Sequence, residues 1–346
     1  MFKLFCDLSS GTCRENKTQD IVERMLVITA NRVHLKRYPI DNPVTIFNPS
    51  IILEDSDVVV YARIVLGYFT YASAVAEIYI PYRDVYSNTF TGHYTAEIKV
   101  FPNNKFDIWG VEDPRVYKID DKVCMTYCGR TVGYFDPSIR TERTLPITAV
   151  RENGEWKKIS VYRLPPELRG FVISDKDAFL VKSNGKLYLF HRLHMRDENF
   201  YTVISEVPME SLEADGLKEV IVKNTSLALH NEEFEEKIGW STPPVDVGGE
   251  YVVLLHGIDK ETKVYRVFGI LMNKKLEIIA YTPHYIMEPK EPYEIFGDRP
   301  FTIFPCGAVL IDDSILISYG AGDSAIGIGR IELSELMEIF DKSRIT

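Results

Sequence analysis

The chain repeats one hairpin plan five times, and this repetition constrains its fold more than any other feature. Each unit starts in a loop with Pro or Asp and passes through a short apolar strand and an acidic or glycine turn. It then enters a second apolar strand ending in an aromatic, a histidine or an arginine. The copies run from Asn48-Pro49 to Tyr61-Ala62-Arg63, Asp113-Pro114 to Tyr127-Cys128, Asp177-Ala178 to Phe190-His191-Arg192, Pro243-Pro244 to Leu255-His256-Gly257, and Pro305-Cys306 to Tyr319-Gly320. Their matching positions Tyr61, Tyr127, Phe190, Leu255 and Tyr319 are 66, 63, 65 and 64 residues apart. A two-sheet sandwich offers no reason for so even a period.

Further β-rich runs, Ile147-Thr148-Ala149-Val150, Tyr201-Thr202-Val203-Ile204 and Val267-Phe268-Gly269-Ile270, supply outer strands, so each unit predicts a four-stranded sheet. Sheets of that kind arranged as blades close into a ring and leave no long exposed edge. The predicted fold is all-β, a single five-bladed β-propeller domain over 1–346 with hairpins near 48–63, 113–128, 177–192, 243–257 and 305–320. Residues 1–40 are then an N-terminal extension or closing segment, and helical pattern is confined to short terminal stretches, Ser334 to Phe340 and Gln19 to Met25.

Composition narrows the partners. The 346 residues are 45% hydrophobic, enough for a large core. No apolar run spans a bilayer, and Met1-Phe2-Lys3-Leu4-Phe5-Cys6-Asp7 breaks off before a signal-peptide core forms, so a cytoplasmic location is expected. A net charge of −10 without a wide basic field argues against nucleic acid and anionic membranes; an anionic ligand then needs a local basic pocket. A homo-oligomer is compatible with all of this. The cysteines Cys6, Cys13, Cys124, Cys128 and Cys306 are odd in number and read as buried thiols rather than a disulfide framework. Cys6 and Cys13 lack a matching Cys/His pair, so no metal and no cofactor are expected.

A propeller turns sequence position into geometry. The first strand of a blade lines the central channel and the second runs back beside it, so the start of one and the end of the other share a rim. Asn48, Asp113, Lys176 and Lys237 stand at starts, and Arg63, Arg192, His256 and Asp323 at ends. Polar groups gathered on a cavity are costly unless a ligand or water pairs them, which makes this mouth the candidate site. Asp113 lies in Gly110-Val111-Glu112-Asp113-Pro114-Arg115, directly before the apolar run Val116-Tyr117-Lys118-Ile119, with Pro114 fixing the start of the strand.

The gathered groups divide into two chemistries. The carboxylates Asp113 and Asp323, with Glu112 flanking, suit sugar hydroxyls, and one of them suits a general acid on a glycosidic oxygen. The bases Lys176, Arg192, Lys237 and His256, with Arg63, suit a phosphate. An inverting glycosidase needs a second carboxylate to activate water, whereas a phosphorylase uses the anion as nucleophile and needs only the acid. One acid and a cationic cradle favour glycosyl transfer to inorganic phosphate as co-substrate.

At these residues the chain resembles glycoside hydrolase family 130, the inverting β-mannoside phosphorylases and a few related hydrolases. The resemblance is carried by Glu112-Asp113-Pro114-Arg115, Lys237-Ile238-Gly239 with Thr242-Pro243-Pro244, Leu255-His256-Gly257, Phe304-Pro305-Cys306-Gly307-Ala308 and Tyr319-Gly320-Ala321-Gly322-Asp323. It implies a five-bladed propeller that cleaves β-1,4- or β-1,2-linked manno-oligosaccharides, or mannosyl-glucose or mannosyl-N-acetylglucosamine, with phosphate to give α-mannose 1-phosphate. It further implies that Asp113 is the general acid, acting through the mannose 3-hydroxyl. Asn48, Arg63, His256 and Asp323 would surround the sugar, and Lys176, Arg192, Lys237 and His256 the phosphate. Trp240-Ser241 stands where the family often has glycines, and no proline follows Arg192; both departures bear on the acceptor side. Two rival readings use the same fold, a β-mannoside hydrolase and a non-catalytic carbohydrate-binding propeller. Arg192 with Lys237 speaks against the first, and Asp113 against the second.

Overall fold

The computed structural model describes residues 2–5, 14–68, 71–87, 91–213 and 215–345; Cys6 and Cys13 lie outside them. The described strands form five sheets set as the blades of a propeller. From the axis outward, blade one is Thr45–Glu54, Asp57–Val65, Ser73–Pro81 and Tyr94–Val100, and blade two is Val111–Ile119, Lys122–Arg130, Thr144–Glu152 and Glu155–Arg163. Blade three is Val172–Ser183, Lys186–Met195, Phe200–Val207 and Lys223–Leu229. Blade four is Glu235–Trp240 with Val245–Asp246, then Tyr251–Asp259, Tyr265–Met272 and Ile278–Tyr281. Blade five is Ile303–Ile311, Ser314–Ala321, Ala325–Glu332 and Glu23–Thr29. The repeat positions Tyr61, Tyr127, Phe190, Leu255 and Tyr319 are all at most 1% exposed, so the period in the sequence is the period of the core.

The start of the chain closes the ring. Glu23–Thr29 pairs antiparallel with Ala325–Glu332 and becomes the outer strand of blade five. The helix expected over Gln19 to Met25 therefore does not form; Met25, Leu26 and Ile28 are buried by the sheet, and that packing overrides local preference. The same segment runs along neighbouring edges. Lys3–Leu4 adds parallel to Lys223–Leu229 in blade three, Thr18 bridges Tyr285 beside blade four, and Val33–Leu35 adds parallel to Tyr94–Val100 in blade one. Lys218–Ile221 covers blade two in the same way. Blades one, two and three thus carry a fifth strand beyond the expected four, each covering an edge that would otherwise offer free ladder groups.

Blade four departs from the common plan. Its hairpin opens at Glu235 rather than at Pro243, and Glu235–Trp240 and Val245–Asp246 both pair with Tyr251–Asp259. Pro243 and Pro244 lack N–H groups, which accounts for the gap between the two pieces. At the other end, Leu333–Asp341 forms the expected helix and buries Leu336, Ile339 and Phe340. Cys124, Cys128 and Cys306 are free and buried. No helix among the described residues is long and apolar enough to cross a membrane.

Candidate active site

In blades one, two and three the inner strand breaks register at one shared place. The pairing shifts between Phe47 and Ser50, between Glu112 and Arg115, and between Lys176 and Phe179. Within these bulges Asn48, Asp113 and Asp177 have φ of 48°, 50° and 56°. That left-handed backbone is tolerated best by Asn and Asp among residues with a side chain, and Pro49 and Pro114 sit where a ladder N–H is not required. Asp113 therefore stands inside its strand, not at its start, and the bulge turns its carboxyl into the channel.

Arg115 sits below the bulges. It is 1% exposed, and its guanidinium donates to the Asp113 carbonyl at 2.9 Å, the Ser241 carbonyl at 3.2 Å, the Trp240 carbonyl at 3.1 Å and Asp177 Oδ1 at 3.4 Å. It thus ties blade two to the interrupted inner strand of blade four.

Above it is a cavity of about 420 Å³ lined by Asn48, Arg63, Glu112, Asp113, Arg130, Lys176, Asp177, Arg192, Lys237, Arg299 and Asp323, among others. Its charge is divided by blade. On the side of blades five, one and two, Asp113 Oδ1 accepts from Asn48 Nδ2 at 2.7 Å and from Arg63 at 3.1 Å, while Oδ2 has no hydrogen-bond partner among the described residues. Glu112 is held by Arg63 at 2.7 Å, Arg130 at 2.5 Å and Lys176 at 2.9 Å. Burial alone would push its carboxyl up, but Arg63, Lys176 and Arg130 outweigh burial and hold it well below the usual carboxylate range. Asp323 lies in the tight turn after Ser314–Ala321, where Gly322 and Asp323 have φ of 57° and 51°. Burial pushes its carboxyl up to about 6, with Asp113 adding to the rise and Arg63 opposing it.

On the side of blades three and four the balance is reversed. Arg192 Nε donates to Asp177 Oδ2 at 2.5 Å, and its two terminal nitrogens have no partner among the described residues. Asp177 would be pushed up by burial, but the guanidinium groups of Arg192 and Arg115 hold it well below the usual range. Lys237 is half-buried with Nζ 4.4 Å from the Phe200 ring and forms no ion pair among the described residues. Burial and the Arg192 charge bring its ammonium down to about 7. Arg299 stands over the Tyr265 ring at 4.7 Å, also without an ion pair among the described residues.

Seven of the eight residues singled out from the sequence, Asn48, Arg63, Asp113, Lys176, Arg192, Lys237 and Asp323, line this cavity. His256 does not. It is 1% exposed, lies tilted with its ring 4.6 Å from Phe304, stacks 5.9 Å from Tyr265, and shares a hydrogen bond of 3.0 Å between Nδ1 and Ser241 Oγ. Its Nε2 lies 3.6 Å from Asp177 Oδ2 without a hydrogen-bond partner. The cause is its cross-strand neighbour Gly239, where a Cβ would meet the Asp177 carboxylate and sit 2.6 Å from the imidazole. The glycine lets the ring lie across the strand under Asp177, and burial lowers its pKa to about 3, so it is neutral there. Gly320 serves the same purpose for blade five, since a Cβ on it would overlap the Asn48 side chain.

The residues not singled out have two origins. Asp177 occupies the repeat position of Asn48 and Asp113, 64 residues after Asp113, and that register identifies it. Arg130, Tyr134 and Arg299 come from strand ends and loops without repeat counterparts. Among the described residues no group of three or more His, Cys, Asp or Glu is placed to hold a metal.

Residues 12–342 match the family model of glycoside hydrolase family 130, described as beta-1,4-mannooligosaccharide phosphorylase. A beta-1,2-mannobiose phosphorylase of Thermoanaerobacter sp. (strain X514) is 31% identical over 230 residues, 65% of this chain and 68% of that protein. A 1,2-beta-oligomannan phosphorylase of the same organism is 25% identical over 233 residues, 66% of this chain and 71% of that protein. The beta-1,2-mannobiose phosphorylase of Listeria innocua, solved with beta-1,2-mannobiose, superposes with a TM-score of 0.70 at 17% identity, covering 93% of this chain and 99% of that one, a likeness of fold. With the family model spanning nearly its whole length, the chain belongs to glycoside hydrolase family 130.

Proposed function

We propose that the protein is an inverting phosphorylase of β-mannosides, with phosphate as nucleophile and α-mannose 1-phosphate as product. The observation that carries this reading is the cluster of cations on blades three and four, where, among the described residues, Lys237 forms no ion pair and Arg192 keeps two terminal nitrogens without a hydrogen bond beside a single shared Asp177. Cations held together out of water repel one another and favour an anion between them. Arg192 offers a planar fork and Lys237 a point charge, a combination suited to phosphate oxygens. The names of the relatives point to the same reaction.

Across the cavity the sugar meets Asn48, Arg63, Asp113 and Asp323. The open Oδ2 of Asp113 carries the proton, passed through the mannose 3-hydroxyl to the leaving oxygen as the bond to the anomeric carbon breaks. A phosphate oxygen attacks that carbon from the opposite face, so the β-linkage becomes an α-phosphate. Lys176, tied to Glu112, completes the rim between the two halves, and His256 acts as a positioning residue through Asp177. The rival hydrolase needs a carboxylate on the phosphate side to activate water. Asp177 is committed there to Arg192, and Asp323 stands with Asp113 around Arg63. Incubating the protein with β-1,2- and β-1,4-mannosides, with and without phosphate, tests the reading. Mannose 1-phosphate is expected only with phosphate, and free mannose released equally fast without it would overturn the proposal.

A further inference from the structure

We infer that Trp109, Tyr134 and Phe135 form a platform for the leaving end of an oligosaccharide substrate, reaching past the second sugar; this rests on the displacement proposed above. In an inverting displacement the nucleophile and leaving group occupy opposite faces of the anomeric carbon, and the acid, which reaches the leaving oxygen through the 3-hydroxyl, stands on the side away from the nucleophile. Phosphate belongs to the cations of blades three and four, and Asp113 belongs to blade two. The leaving sugar therefore departs over blade two.

The surface of blade two at that point carries a run of three aromatic rings that continues past the cavity wall, where Phe47, Phe200, Tyr265 and Phe304 stand among charged groups. Tyr134 lines the cavity, with the Arg130 guanidinium 4.4 Å from its ring. Phe135 follows with its ring 5.0 Å from Tyr134, and Trp109 lies 5.2 Å from Phe135, so the three rings form one connected row that starts at the cavity. Phe135 is 46% exposed, a large apolar side chain left in water and continuous with a polar cavity. The backbone beneath is fixed. Trp109 N–H donates to the Arg130 carbonyl at 3.1 Å, Val132 N–H to the Lys105 carbonyl at 3.0 Å, and Arg143 Nε to the Tyr134 carbonyl at 3.1 Å. Rigid aromatic faces accept the C–H face of a pyranose at little entropic cost, and an uncharged sugar suits them where an anion does not.

The test compares kcat/KM for mannobiose, mannotriose and mannotetraose, in β-1,2 and β-1,4 linkage, between the wild type, Phe135→Ala, Trp109→Ala and Trp109→Phe. The ratio of trisaccharide to disaccharide kcat/KM should fall roughly three- to tenfold in each alanine variant, the weight of one aromatic contact, with the change in KM. Trp109→Phe keeps an aromatic face and should retain most of the ratio. In the reverse direction the KM for a disaccharide acceptor should rise while that for mannose 1-phosphate holds. An unchanged ratio in the double alanine variant at wild-type Tm, or equal loss for all chain lengths, overturns the platform. Phosphate-independent release of mannose overturns the phosphorolysis reading alone, since the chain-length ratio is measured equally well in hydrolysis.

Discussion

The two ends of the axial channel are built from the same inner strands, a few residues apart, yet their chemistry is opposite. One end holds the charged cavity of about 420 Å³. The other holds a larger one, about 720 Å³, walled by Ile51, Leu53, Val116, Leu180, Val309 and Leu310, with Lys118, Asp120, Lys182 and Asp246 also on its lining. At the apolar end the strands pair regularly, Ile51 with Val60, Val116 with Met125 and Leu180 with Leu189. At the charged end each of these three strands bulges. Displacement of the backbone, rather than the channel itself, gathers the charged groups of the candidate site, and the larger volume lies at the end where the strands pair regularly.

Changes at the charged end should break that contrast most strongly. Asp113→Asn keeps the hydrogen bonds of the bulge but removes the proton, so activity should fall on the order of a hundredfold to ten-thousandfold with Tm unchanged. Near-normal turnover by the folded variant would shift the acid elsewhere, with Glu112 the first alternative. Arg115→Met strikes between the two ends. It leaves Asp177 short of a partner and the carbonyls of Trp240 and Ser241 without their donor, which should cost about 3–5 kcal/mol of stability by denaturant titration. A loss below about 1 kcal/mol would show that the buried guanidinium is replaced without strain.

The repeat made the ring legible because every blade buries the same aromatic or aliphatic position, and it made the mouth legible because strand starts and ends share a rim. The bulges were not legible, although Asn48, Asp113 and Asp177 are the residue types that tolerate them; a one-residue difference separates Lys176, read as the start, from Asp177, which stands at the left-handed turn. His256 was placed at the rim by its strand position, but the missing side chain of Gly239 sends it beneath. The start of the chain was hardest. Glu23–Thr29 finds its partner some 300 residues away in Ala325–Glu332, so no local pattern distinguishes this closing strand from a helix.

Titration sharpens the contrast further, because Lys237 and Asp323 face the same cavity with opposite signs. The Lys237 ammonium falls from its ordinary 10.5 to about 7, so between those values the unfolded chain binds a proton that the native chain lacks. Stability in the absence of phosphate should rise with pH across that window, and Lys237→Met should remove the slope. The Asp323 carboxyl rises from 3.8 to about 6, so its contribution to stability is lost as pH climbs through that interval. Phosphate favours the charged ammonium, so the KM for phosphate should increase above pH 7 by up to about tenfold per unit, with proton uptake on binding visible by calorimetry in buffers of different ionisation enthalpy. A flat KM for phosphate across pH 7 to 9 would remove Lys237 from the phosphate site.

The smallest effect is expected at the other end. Lys182 pairs with Asp120 at 2.5 Å, with side chains 34% and 58% exposed, on the lining of the apolar cavity. Water screens such a pair and ordering two long side chains opposes it, so Lys182→Gln should change stability by less than about 1 kcal/mol. Arg115 and the packed inner strands separate it from the sugar and the phosphate, and kcat/KM for the mannoside and the KM for phosphate should both stay within about twofold. The same assay applied to Arg192→Gln, which also removes one positive charge, should raise the KM for phosphate by at least tenfold through loss of a charge-assisted contact. Equal effects from the two substitutions would mean that net charge, rather than placement at the bulged end, governs phosphate use, and the division between the two mouths would lose its functional meaning.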